Sequence, residues 1–262
     1  NHLYLSTAET DPHRILAPKA THPDTAVDVL SRIVARGGGQ VSATTTARQA
    51  ADPTRRLAAA ADMFTDALGA AAEHQLGAGA RDRLDAIAES VHTDLSTCAA
   101  WPVLRRRLAV RALSGADPGE LLAAAHARGG LDDAADAAAV LDYRIDPTGS
   151  AGRDCGPLRW LPAIPDRLAG DPQWGDYLRR RGQLVSDLAD QIREQARAWT
   201  PDTAPSWAQP LVTANPALAA EIAVFRAATG VDGADTRLTG PAQYPVATRA
   251  IQDLLQRHGT DA

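Results

Sequence analysis

The hydrophobic pattern changes period early in the chain. Asn1-His2-Leu3-Tyr4-Leu5-Ser6 alternates as a β-strand does, and nothing in the next hundred residues reads as a partner strand. That orphan strand predicts a cut just inside the last strand of a preceding domain, with residues 11–18 as its exit loop. After it, apolar residues recur at helical spacing, and one mark repeats: a capping residue, a proline, then an alanine-rich run. It stands at His22-Pro23, Asp52-Pro53, Asp117-Pro118, Asp171-Pro172 and Asn215-Pro216. An Asp or Asn side chain accepts an orphan N–H at a helix start, and proline at the first position loses no needed donor. Gly37, Gly77, Gly115, Gly129 and Gly230 supply stops.

These signals predict helices near 23–36, 53–76, 80–96, 101–114, 118–128, 131–144, 173–199, 216–229 and 244–258. In 173–199, Trp174, Tyr177, Leu178, Leu184, Val185, Leu188, Ile192 and Ala196 form one apolar face. The helix at 53–76 is alanine-dominated on every side, as expected of one packed between others. The expected fold is all-α: a bundle of about nine helices with a short N-terminal strand and two Pro-rich straps. The straps are the stretch around Trp160, Leu161 and Ile164, and Pro201 to Pro210 around Trp207. The small polar run from Ile145 to Gly152 suggests a boundary near 150. The expected organisation is therefore 1–20 as the end of a preceding domain, 21–150 as one helical subdomain and 151–262 as a second.

Composition supports the helices: 45% of residues are hydrophobic but only 4% aromatic, and alanine carries much of the apolar count. Lys19 is the sole lysine, which fits either a GC-rich genome or selection of arginine for phosphate. A net charge of −5 argues against coating nucleic acid by bulk electrostatics and leaves room for a local basic patch. Cys98 and Cys155 form no CxxC and exclude a disulfide scaffold. The absence of an apolar run of spanning length predicts no membrane association and a cytoplasmic protein.

No catalytic pattern emerges. Gly37-Gly38-Gly39 lacks the lysine of a P-loop, and the seven histidines show no HxH or HxxxH spacing. Asp133 and Asp136 fall in a predicted first helical turn, where capping is the better reading. No serine stands in a nucleophile elbow. Neither a cofactor nor a metal is expected. Two basic clusters remain, each beside a tryptophan: Arg105, Arg106 and Arg107 with Arg111 near Trp101, and Arg179, Arg180 and Arg181 near Trp174. Arginine beside an exposed aromatic suits single-stranded DNA. An amphipathic helix with a core tryptophan and arginines paired to carboxylates gives the same pattern.

Asn1 to Leu5 resembles the strand that follows motif VI in RecD-like superfamily 1 helicases. Ser6-Thr7-Ala8-Glu9, Asp11-Pro12-His13, Leu141-Asp142-Tyr143-Arg144, Gly156-Pro157-Leu158-Arg159-Trp160-Leu161-Pro162 and Asp171-Pro172-Gln173-Trp174-Gly175-Asp176-Tyr177-Leu178 resemble the region after the helicase in actinobacterial MobF-class (TrwC/TraI-like) conjugative relaxases. The resemblance implies a parent that nicks plasmid DNA and unwinds it, with its active sites upstream. It transfers no catalytic residue to this chain. It implies a non-enzymatic accessory domain that recruits the type IV secretion coupling protein or relaxosome proteins. The alternative is a single-stranded DNA-binding module built on the two arginine clusters.

Overall fold

A computed structural model describes residues 51–131, 134–145 and 156–260. The opening strand, the helix at 23–36, Gly37-Gly38-Gly39, Lys19, Asp133, Cys155, His2, His13 and His22 lie outside them. Ten α-helices form the described fold: α1 (Pro53–Gln75), α2 (Ala80–Val91), α3 (Trp101–Leu113), α4 (Pro118–His126), α5 (Ala137–Ile145), α6 (Asp166–Ala169), α7 (Gly175–Arg197), α8 (Gln209–Ala214), α9 (Pro216–Ala228) and α10 (Val246–Thr260). The fold is an all-α multi-helix bundle.

The predicted caps form as chemistry requires. Asp52 accepts from the Thr54 N–H at 3.0 Å, Asp117 from Glu120 at 2.9 Å and Asn215 from Leu218 at 3.1 Å. Asp171 accepts from Gln173 and Trp174 instead, each at 2.8 Å, and so caps a turn that leads into α7. The stop glycines 77, 115, 129 and 230 all have positive φ.

Two predicted helices are shorter than expected. The one at 80–96 ends at Val91 because the Glu89 carboxylate captures the N–H groups of Asp94 and Ser96, both at 2.9 Å. These bonds close a separate 3₁₀ turn over Leu95–Thr97. The one at 131–144 starts only at Ala137. Asp136 is its cap, accepting from Ala139 at 2.9 Å, while its second oxygen accepts from the Ala100 N–H at 2.8 Å. One carboxylate thus begins α5 and anchors the entry to α3.

Helix α1 occupies the centre, against α3, α7 and α9. Leu57, Phe64, Leu68, Ala71 and Ala72 on it are fully buried. Small residues set the approach. A Cβ on Gly69 would lie 2.8 Å from Arg106 Cβ, and Gly182 of α7 faces the Phe64 ring. Residues 52–262 form one compact unit, and one hydrophobic core runs from Leu57 to Leu255. Across the expected division into 21–150 and 151–262, α1 from the first part packs on α7 and α9 from the second.

Both straps close that core. In the first, Leu158 is buried, the Gly156 N–H donates to Leu161 O at 3.0 Å, and Trp160 stands edge-on to Phe225 at 5.5 Å. In the second, Trp199 meets Trp207 edge-on at 5.7 Å. The short helices α6 and α8 follow these straps, each starting at a proline where helical periodicity is hard to read.

Phe64→Ala should cost about 3–5 kcal/mol, as large-to-small core changes do. It should lower a single cooperative melt of the 52–262 unit, followed by circular dichroism. A melt that splits into two transitions would instead restore the boundary at 150.

Candidate functional site

The two arginine clusters have different fates. Trp101 is 1% exposed, with its indole N–H donating to Asp85 Oδ1 at 2.7 Å. It offers no face to a nucleic-acid base. Arg105 donates to Glu73 at 2.9 Å and to Asp85 at 3.4 Å, Arg106 to Asp66 at 2.9 Å, and Arg107 to Asp142 at 2.8 Å. Glu73 is buried and also binds Arg81 at 3.1 Å. Arg111, on the same helix, is half-buried and engaged in the fold. Trp101, Arg105, Arg106, Arg107 and Arg111, expected as possible DNA contacts, are thus engaged within the fold. The cluster fastens α3 to α1, α2 and α5.

The electrostatics follow burial. Desolvation works to lower the Arg105 pKa, and hydrogen bonds and charge from Glu73 and Asp85 more than reverse it, leaving it raised. Burial pushes the Asp66 carboxyl up, against the pull of Arg106 and with help from Asp62.

The second cluster remains at the surface. Trp174 precedes α7 and is half-buried, its indole N–H donating to His74 Nδ1 at 3.4 Å. His74 and Trp174 rings stand 6.0 Å apart, and Trp174 meets Tyr177 edge-on at 6.2 Å. The Arg181 guanidinium lies 5.1 Å from the Tyr177 ring centroid and reaches the Met63 sulfur at 3.6 Å. Arg179 pairs with Asp176 and donates to Ala169 O at 2.5 Å. Arg180 is exposed, with no ion pair among the described residues. The antiparallel packing of α1 and α7 thus lines up His74, Trp174, Tyr177, Arg181 and Met63 in one aromatic and cationic strip. Trp174 and the three arginines were legible as candidates. His74 and Met63 carried no signal, because α1 brings them in from a hundred residues away.

A further cationic group is built into the core. Arg226 of α9 is 5% exposed and lies 4.8 Å from the Trp207 ring centroid. It donates to the carbonyls of Arg237, Leu238, Asp232 and Asp235, and so pins the loop after α9. Burial lowers its pKa, partly offset by Asp235. Elsewhere His92 and His126 approach to 6.0 Å between ring centroids, an encounter no local spacing announces. Among the described residues, no group of three His, Cys, Asp or Glu can hold a metal ion. None of the described helices is long and apolar enough to cross a membrane.

Glu73→Ala should destabilise the fold by about 3 kcal/mol, since it leaves Arg105 buried without its main partner. Arg180→Ala should change stability by less than about 0.5 kcal/mol; urea unfolding of both variants separates the clusters. In the loop held by Arg226, hydrogen bonds from the Arg237 side chain and backbone lower the Asp235 carboxyl from 3.8 to about 2. A depressed carboxyl contributes stability above its unfolded pKa and loses it as pH falls through the folded one. An NMR titration should therefore find Asp235 ionised at pH 3 and its midpoint near 2, with the loop loosening only below that.

Comparison of the chain with protein-family models, curated proteins and solved structures finds no match. Function is accordingly read from the residues and surfaces themselves.

Proposed function

We propose that this chain is a non-catalytic accessory domain on the C-terminal side of the helicase in a MobF-class relaxase–helicase, where it recruits coupling-protein or relaxosome components in the cytoplasm during DNA transfer. The observation that carries the reading is where its resembling segments lie. Residues 156–162 seal the core through Leu158 and Trp160, and 171–178 set the start of α7 through the Asp171 turn and buried Leu178. Segments that resemble a family through packing, with no reactive group among them, suit a domain whose product is a surface. The internal ion pairs of α3 support the same reading, since they commit charge to rigidity.

A second reading is favoured by the strip along α1 and α7. Rings set at an angle to one another, those of Trp174 and Tyr177 half-buried, offer edges and partial π-faces to single-stranded DNA beside the phosphate partners Arg179, Arg180 and Arg181. It involves only the second cluster.

Pull-down with the purified coupling ATPase and relaxosome proteins should retain at least one of them; failure to retain any sinks the recruiting role. Fluorescence anisotropy with oligothymidylate tests the second reading. Replacing Arg180 and Arg181 with alanine should then weaken binding about tenfold and flatten its salt dependence, whereas Arg106→Ala should leave both nearly unchanged.

A further inference from the structure

The most exposed large hydrophobic side chain among the described residues is Tyr244, at 90%. It sits in Pro241-Ala242-Gln243-Tyr244-Pro245, between the loop pinned by Arg226 and the start of α10. A lone exposed aromatic is ordinary; the fixing of its backbone is not. Gln252 of α10 is 2% exposed and Thr239 is fully buried. The Gln252 amide donates to Pro241 O at 2.9 Å and Thr239 Oγ1 at 3.1 Å, and its oxygen accepts from the Gln243 N–H at 2.9 Å. Gln256 adds a bond to Thr239 Oγ1 at 2.8 Å. Beyond Tyr244, Pro245 O accepts from the Arg249 N–H at 2.8 Å, so α10 holds that end as well.

Buried polar groups are costly unless satisfied. Here they are satisfied by the backbone of an exposed loop, which they hold at Pro241 and Gln243 just ahead of Tyr244, while Pro245 behind it leads into the first turn of α10. Tyr244 precedes a proline, which biases it to extended or polyproline II geometry. The N–H groups of Ala242 and Tyr244 have no backbone partner among the described residues. Flanking prolines and an outward aromatic are what a proline-containing ligand offers an aromatic-lined groove. Clamping from within removes the ordering cost such a ligand otherwise meets on binding.

We infer that residues 241–245 are a preformed recognition segment, inserted through Tyr244 into an aromatic-lined groove of a partner protein that accepts extended, proline-flanked chain. This rests on the reading of the chain as an interaction domain and names the surface and the partner's chemistry.

Isolated SH3-fold and WW-fold domains serve as aromatic-groove probes in calorimetric titrations of the full chain. At least one should bind, and Tyr244→Ala should weaken it by about tenfold or more, as truncating an anchor residue does. Gln252→Leu, which leaves Tyr244 in place, should weaken it less. No binding by any probe, or equal binding by the Tyr244→Ala variant, overturns the inference. So does loss of oligothymidylate binding, or of self-association, as the sole effect of that variant. The two readings fail separately. If the coupling protein or a relaxosome protein is retained equally by wild type and Tyr244→Ala, recruitment stands and this segment is not its site. If none is retained while a probe binds through Tyr244, recruitment by the proposed partners falls and the segment stands.

Discussion

Close approach at α1 is the constraint on which the rest depends. With aromatics at 4% of the chain, the core has few large side chains to span gaps between helices. Helices must come close instead, and alanine and glycine on α1 allow it: Ala71 and Ala72 are fully buried, and Gly69 admits the stem of Arg106. Dispersion attraction between atoms held this near is small for each pair and large in sum. The few bulky groups then meet small residues or one another, as Phe64 does against Gly182 and Trp160 against Phe225.

Once α1 and α3 lie so close, their charges must be settled locally. Arg105 and Glu73 are drawn out of water together, and each is tolerable only because the other is there. The same logic recurs at Arg226, where a ring face and backbone carbonyls stand in for a carboxylate. Arginine suits this work because its planar fork reaches several acceptors and stacks on aromatics. Among the described residues, arginines such as Arg105 and Arg226 therefore serve as internal fastening, while α7 and the loop before α10 carry exposed candidate chemistry.

Much of the fold was legible. Helix starts at Asp52, Asp117 and Asn215 follow from caps that bind within three residues, so no distant partner alters them. The end of α2 and the start of α5 were less so, because Glu89 and Asp136 direct their oxygens to backbone outside the expected helices. The short helices that follow the straps were hidden by the prolines at their starts. Of the candidate site, the residue types were legible and their availability was not. Arg105-Arg106-Arg107 and Arg179-Arg180-Arg181 are alike as triplets, and both lie near a tryptophan.

The sequence by itself determined the helical class, the capped starts and the glycine stops, since these depend on residues within one turn of each other. Tertiary structure alone decided that one core crosses residue 150, that Trp101 is inside and Trp174 at the rim, and which arginines meet carboxylates. It also set His74 beside Trp174 and hung the Tyr244 segment on Gln252. Each of these joins residues far apart in the chain, where local spacing carries no information and only the packing of whole helices fixes the distance.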